Sequence, residues 1–259
     1  MRVTGVAVAF LSTKTGQFTY FAQQLGESDW HGRNVLDFGG NVGNILRDPD
    51  STIDHARYWC IDVVPESIQQ GEAEFPNAHW VFYDRYCFYF NPFGRRDIPL
   101  PPFAERFDFI VAYSVFTNTP RTDMLQLVTQ LEDALAPGGA LAFTFIDPHY
   151  HSWPDLYPSN NLVWRLEREV FLEGNKGNTL DIDIPALNER AKDASWFVLV
   201  NGEELYLETE NVPEYEPEQQ RTYHAFYTVD YLQSLFPHAT IRPPANGEMQ
   251  HCCVIKKAY

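Results

Sequence analysis

Three aspartates, each closing a short apolar run, carry the first chemical signal in the chain. Asp37 follows Val35 and Leu36, Asp62 follows Tyr58-Trp-Cys-Ile61, and Asp84 follows His79-Trp-Val-Phe-Tyr83. A carboxylate at the carboxyl edge of a buried strand accepts hydrogen bonds from ligand hydroxyls; at the second strand, the position of Asp62, both hydroxyls of a ribose are suitable donors. Directly after Asp37 the chain breaks into Gly39-Gly-Asn-Val-Gly43. Gly39, Gly40 and Gly43 allow positive φ or close approach of the backbone to a ligand, and a helix starting near Val42 would aim its N-terminal amides at an acidic group of a cofactor. Helix capping is the competing use of any one acid, as for Asp62 ahead of Pro65. The series of three at successive strand ends points to a binding edge.

Two further stretches gather polar side chains at strand ends. Phe107-Asp-Phe-Ile-Val-Ala-Tyr113 reads as a buried strand leading into Ser114-Val-Phe-Thr-Asn-Thr-Pro120, and the strand Ala140 to Ile146 runs into Asp147-Pro-His-Tyr-His151. In a parallel sheet this carboxyl edge is where ligands bind.

The elements that must hold these residues alternate as β and α. The spacing of Phe18, Phe21, Ala22 and Leu25 predicts a helix over Gln17 to Leu25, which either covers part of the pocket or packs on the sheet edge. Pro49 keeps any helix after the glycine loop short, and Pro65 to Glu74 reads as a helix with Ile68 facing inward. The run from Tyr86 to Pro102 is a loop whose aromatics line a pocket or, the preferred reading, anchor the loop. Thr122 is the expected N-cap of a helix through Leu135, with Leu125, Val128 and Leu131 on its core stripe; Pro137-Gly-Gly139 then turns the chain into the next strand. From 152 to 222 the rhythm fails. Ser195 to Leu199 and Glu203 to Thr209 read there as a hairpin through Asn201-Gly202. A helix near Thr228 to Leu235 and two strands, Ala239 to Arg242 and His251 to Lys256, complete the chain.

The acid followed by the glycine loop resembles the first motif of the class I S-adenosylmethionine (SAM) methyltransferases, an acidic residue followed by x-G-x-G-x-G. Asp37, Gly39 and Gly43 match, while Asn41 stands at the middle glycine. The helix-PGG-strand junction and the final strand pair add to the resemblance, which covers residues 34–150 and 223–259. It implies an α/β fold, a mostly parallel Rossmann-like sheet whose last strand is antiparallel, with residues 1–150 and 223–259 as the SAM-binding core and 151–222 as an inserted α+β lid. It implies a cofactor site of Asp37, Gly39, Gly40, Asn41, Gly43, Asp62, Val63 and Asp84, the last or its neighbouring amide meeting adenine. Tyr113 and Ser114 would hold the methionine end, with the side chains through Asn118 facing the acceptor.

Methyl transfer then requires alignment of acceptor, carbon and sulfur, and a general base only where the acceptor must lose a proton. His149 and His151 are the candidate bases, His149 ahead because Pro148 and the strand end fix it, with Tyr113 and Tyr150 next. The reaction expected is methylation of O or N on a small molecule in specialised metabolism, releasing S-adenosylhomocysteine (SAH). Aminocarboxypropyl transfer or SAM cyclisation is the alternative on the same fold; a non-catalytic SAM-binding or partner-binding module is another.

Charge and composition narrow the partners. A net charge of −16 over 259 residues disfavours a nucleic-acid substrate. Apolar residues at 44% and aromatics at 15% fit one sizeable globular core. A dinucleotide G-x-G-x-x-G begun at Gly39 would place its later glycines on Asn41 and Asn44, which counts against NAD(P). Cys60, Cys87, Cys252 and Cys253 show no metal-ligand spacing and read as reduced thiols. No metal site, no membrane span and a cytoplasmic setting are expected.

Overall fold

A computed structural model describes residues 16–88, 90–149, 189–200, 204–213, 223–244 and 250–258. Its main sheet has seven strands: β1 (Val35–Phe38), β2 (Tyr58–Asp62), β3 (His79–Phe82), β4 (Phe107–Ala112), β5 (Leu135–Phe145), and the late pair β9 (Thr240–Arg242) and β10 (His251–Lys256). The spatial order is β3-β2-β1-β4-β5-β10-β9. Neighbours from β3 through β5 are parallel, whereas β10 is antiparallel to both β5 and β9.

The strands are apolar on both faces because both are covered. Leu36 and Phe38 join a cluster with Leu127, Val128 and Leu131 of α3 (Arg121–Ala134), while Val35 joins the opposite cluster with Phe18 and Phe21 of α1 (Gln17–Leu25). Helix α2 (Pro65–Glu74) buries Ile68 against the second of these clusters. The chain leaves β1 toward β2 on one side and returns to β4 on the other, so a crevice opens beyond the carboxyl ends of these strands.

A second sheet, β7-β6-β8, is antiparallel: β6 (Trp196–Val200), β7 (Glu204–Leu207) and β8 (Tyr223–Tyr227). The expected hairpin strands are present, their Asn201-Gly202 turn lying outside the described residues. Strand β8 was not anticipated; its residues Tyr-His-Ala-Phe-Tyr are all buried, so no alternation announces a strand. Trp196, Val198 and Val200 pack into the α3 cluster, which seats this sheet on the main core. Thr228 caps α4 (Val229–Leu235), its hydroxyl accepting the Tyr231 amide at 3.2 Å.

Two local expectations are corrected. No α-helix forms near Val42. Residues 41–47 make consecutive turns instead, closed by Gly43 N–H to Gly40 O, Leu46 N–H to Gly43 O and Arg47 N–H to Asn44 O. Asn41 and Gly43 both stand at positive φ (53° and 78°), and each interrupts the right-handed run a helix needs. Nor does Thr122 cap α3. The N-cap is Pro120, and the Thr122 amide and hydroxyl both donate to the carboxylate of Glu210, a tertiary cap from the segment after β7.

Candidate active site

Beyond the carboxyl ends of β1 to β5 lies a cavity of about 200 Å³. Of the residues singled out from sequence, Gly39, Asn41, Asp62, Val63, Tyr113 and Ser114 line it. Asp37, Gly40, Gly43 and Asp84 do not. Asp37 is buried beneath the loop, where Tyr58 donates its hydroxyl to Oδ2 at 2.7 Å, and burial pushes the carboxyl up to about 7. Gly40 leaves room for it: a Cβ there would stand 2.5 Å from the Asp37 carboxyl carbon. Gly43 packs beside Trp80. Asp84 accepts from Asn91 Nδ2 at 3.2 Å, while its neighbours Tyr83 and Arg85 reach the cavity.

Asp62 ties the loop after β1 to the end of β2. Its Oδ2 accepts the Asn41 amide at 2.8 Å and its Oδ1 the Val64 amide at 2.9 Å. Burial raises its pKa against these backbone hydrogen bonds. Each oxygen retains a lone pair, so the carboxylate can still accept from a ligand. The capping alternative does not hold, since α2 has Val64 at its N-cap and no side-chain cap. Asn41 suits the middle position of the loop because a short amide side chain tolerates left-handed backbone better than other non-glycine residues. With its amide committed to Asp62, and without a helix start behind it, this loop offers little to a diphosphate.

Ser114 also stands at positive φ, 59°. Its amide donates to Thr144 Oγ1 at 2.7 Å, and its carbonyl accepts from Thr117 Oγ1 at 2.9 Å and Asn118 Nδ2 at 3.1 Å. Tyr113 meets Tyr20 and Phe21 of α1 edge-on, with ring centroids 5.7 and 6.2 Å apart. Gln17 lines the cavity, so α1 both packs on the sheet and walls the site.

The cavity wall also includes residues that sequence reasoning did not select. Tyr223 and His224 of β8 line the cavity with Ile146, Pro120, Tyr86 and Phe90. Two of the loop aromatics thus wall the pocket, and anchoring falls to Phe88, whose ring lies 5.3 Å from that of Tyr223. His224 is buried and its pKa falls to about 4, which keeps the imidazole neutral near pH 7. The sheet pairing that carries it here is non-local, and no short motif signals it. Arg85, also in the wall, has its charge met by Asp123 at 3.0 Å and donates to Ile98 O and Gln126 Oε1.

His149 is exposed and outside this wall; its amide donates to Asp147 Oδ1 at 2.8 Å, while Asp147 Oδ2 accepts from Val229. The expected role of His151 lies outside the described residues, as does Tyr150. Among the described residues there is no cluster of three or more His, Cys, Asp or Glu that could hold a metal ion, and no helix is long and apolar enough to cross a membrane.

Residues 36–141, which span β1 through the middle of β5, match the model of a family described as a methyltransferase domain. Over this stretch the chain is similar to a methyltransferase domain. Solved structures share its fold. A SAM-dependent methyltransferase from Clostridium acetobutylicum ATCC 824 is similar with a TM-score of 0.52 at 12% identity, over 93% of this chain and 91% of that one. The glycopeptide N-methyltransferase MtfA complexed with sinefungin gives 0.52 at 11% identity, over 96% of both chains. The SAM complex of MtfA gives 0.50 at 9%, over 95% of both. A comparison with curated proteins finds no match to this chain.

Proposed function

We propose that this methyltransferase moves the methyl group of SAM to an oxygen or nitrogen of a small molecule, in specialised metabolism. The observation that carries the cofactor assignment is Asp62, a buried carboxylate in the cavity wall bracketed by two main-chain amides. It fits a ligand rich in hydroxyl donors. Asp62 would hold the ribose, the Tyr83 to Arg85 edge the adenine, and the Gly39 and Ser114 backbones the methionine end. Bound SAM supplies a methyl carbon already activated by its sulfonium leaving group.

What this chain adds is position, dryness and a proton acceptor. Tyr86, Phe90 and Tyr223 exclude water from the acceptor side, and neutral His224 takes the proton where the acceptor is a hydroxyl. Residues 1–150 and 223–259 form the cofactor-binding core and 151–222 an insertion over the acceptor, with β8 completing the insertion's sheet. A glycopeptide N-methyltransferase shares this fold, which supports an acceptor other than a nucleic acid, and the net charge of −16 argues the same way. Four cysteines without a disulfide accord with a reducing, cytoplasmic setting.

Calorimetric titration with SAH, with NAD as control, tests the reading. Binding of SAH that Asp62→Ala abolishes is the expected result; wild type that ignores SAH would remove the cofactor assignment. Recovery of methylthioadenosine in place of SAH after turnover would redirect the reaction to aminocarboxypropyl transfer or cyclisation.

A further inference from the structure

Ser114, at positive φ, meets a residue far away in sequence. Gln250, just ahead of β10, is buried to 3% exposure and donates from Nε2 to Ser114 Oγ at 3.0 Å. The direction of the surrounding hydrogen bonds follows from proton counting. Thr117 gives its hydroxyl hydrogen to the Ser114 carbonyl, so the Ser114 hydroxyl donates to Thr117 Oγ1 at 3.2 Å and presents a lone pair to Gln250. The other end of the Gln250 amide, Oε1, is buried with no hydrogen-bond partner, so the group does not stand there to complete a polar network of its own. Its main-chain carbonyl accepts from the Tyr20 hydroxyl of α1 at 3.3 Å, while Tyr20 also packs on Tyr113. Helix α1, the approach to β10 and the turn after β4 therefore meet at one residue.

We propose that Gln250 is a positioning residue for the cofactor half of the site: its amide fixes Ser114 in the left-handed conformation that turns the end of β4 into the cavity wall. A serine pays a steric penalty there that glycine does not. The chain meets it with the Gln250 contact, which lies outside the cavity lining. The inference rests on the cofactor reading given above.

The test uses the full chain and SAH as probe. Gln250→Met keeps the volume and removes the donor; Gln250→Glu replaces the donor with an acceptor. Each is expected to weaken SAH binding about tenfold, a usual size for coupling inside one hydrogen-bond network. The Ser114 amide should exchange faster with solvent in both. In a Ser114→Gly background, where the backbone adopts positive φ without help, Gln250→Met should cost less than about threefold. An equal loss in both backgrounds, or wild-type affinity and exchange in Gln250→Met, would overturn the proposal. Wild type that does not bind SAH is a different failure, since it removes the cofactor reading and the inference with it. Circular dichroism and thermal unfolding identify a variant that fails to fold, in which case Gln250→Asn, which keeps the amide but shortens its reach, must show the same background-dependent loss.

Discussion

The Asn41 main-chain amide lies 2.8 Å from Asp62 Oδ2, a hydrogen bond that locks the glycine loop after β1 to the end of β2. The same carboxylate holds Val64 at 2.9 Å, so one side chain fixes the carboxyl ends of two adjacent strands.

Replacing Asp62 therefore costs both binding and stability. Asp62→Ala leaves the Asn41 and Val64 amides without their acceptor, a loss of about 1–3 kcal/mol for a buried donor. Asp62→Asn sets its amide group against one of those donors and recovers only part of that. Urea unfolding should rank wild type above Asn above Ala, with SAH affinity falling in the same order. Equal stability of Asp62→Ala and wild type would show that the two bonds contribute nothing net.

At Asn41 the backbone conformation is the test. Asn41→Gly keeps φ near 53° without strain, whereas Asn41→Ala forces an unfavourable left-handed residue at about 1–2 kcal/mol. Thermal melts should place Gly at or near wild type and Ala several degrees below. A reversed order would mean that the amide side chain, rather than the backbone, sets this position.

Asp37 links stability to pH. Its folded pKa is raised to about 7 from an ordinary 3.8, so the folded chain holds a proton that the unfolded chain has lost. Its stabilising contribution is complete below about pH 4 and is lost as pH rises through 7, at about 1.4 kcal/mol per unit. Asp37→Asn retains an acceptor for the Tyr58 hydroxyl and removes the titration. Melting temperatures of variant and wild type should diverge between pH 4 and 8 in favour of the variant; a constant difference across that range would exclude this role.

His224 predicts a pH–rate profile. With its pKa lowered to about 4, turnover on a hydroxyl acceptor should be flat above about pH 5 and fall below it as the imidazole acquires its own proton. His224→Gln is expected to lower kcat by about a hundredfold, within the usual range for general-base loss, while SAH affinity measured by calorimetry stays unchanged. An unaltered kcat would return proton transfer to solvent or to another side chain.

Much of the fold was written locally. The apolar runs ending in Asp37 and Asp62, the helix opened by Pro65 and the stripe along α3 each depend on neighbours a few positions away, and α1, α2 and the first four strands stand close to where their patterns put them. Strand β5, by contrast, starts at Leu135 rather than Ala140 and takes in Pro137-Gly-Gly139, where its register with β4 shifts. Motif spacing also located Gly39, Asn41, Asp62, Tyr113 and Ser114, because consecutive parallel strands bring their carboxyl ends to one edge whatever the details of packing.

Sequence by itself thus determined the α/β order and several of the residues that line the cavity at the carboxyl edge. Tertiary structure alone decided which acids reach the cavity. Asp37 and Asp62 end equivalent runs, yet side chains on the two faces and the course of the glycine loop bury one and present the other. It also replaced the helix after Gly43 with turns, gave α3 its cap from Glu210, and brought His224 and Gln250 to a site more than a hundred residues earlier in the chain. Those contacts are long-range pairings with no local period, so they come into being only when the sheets close.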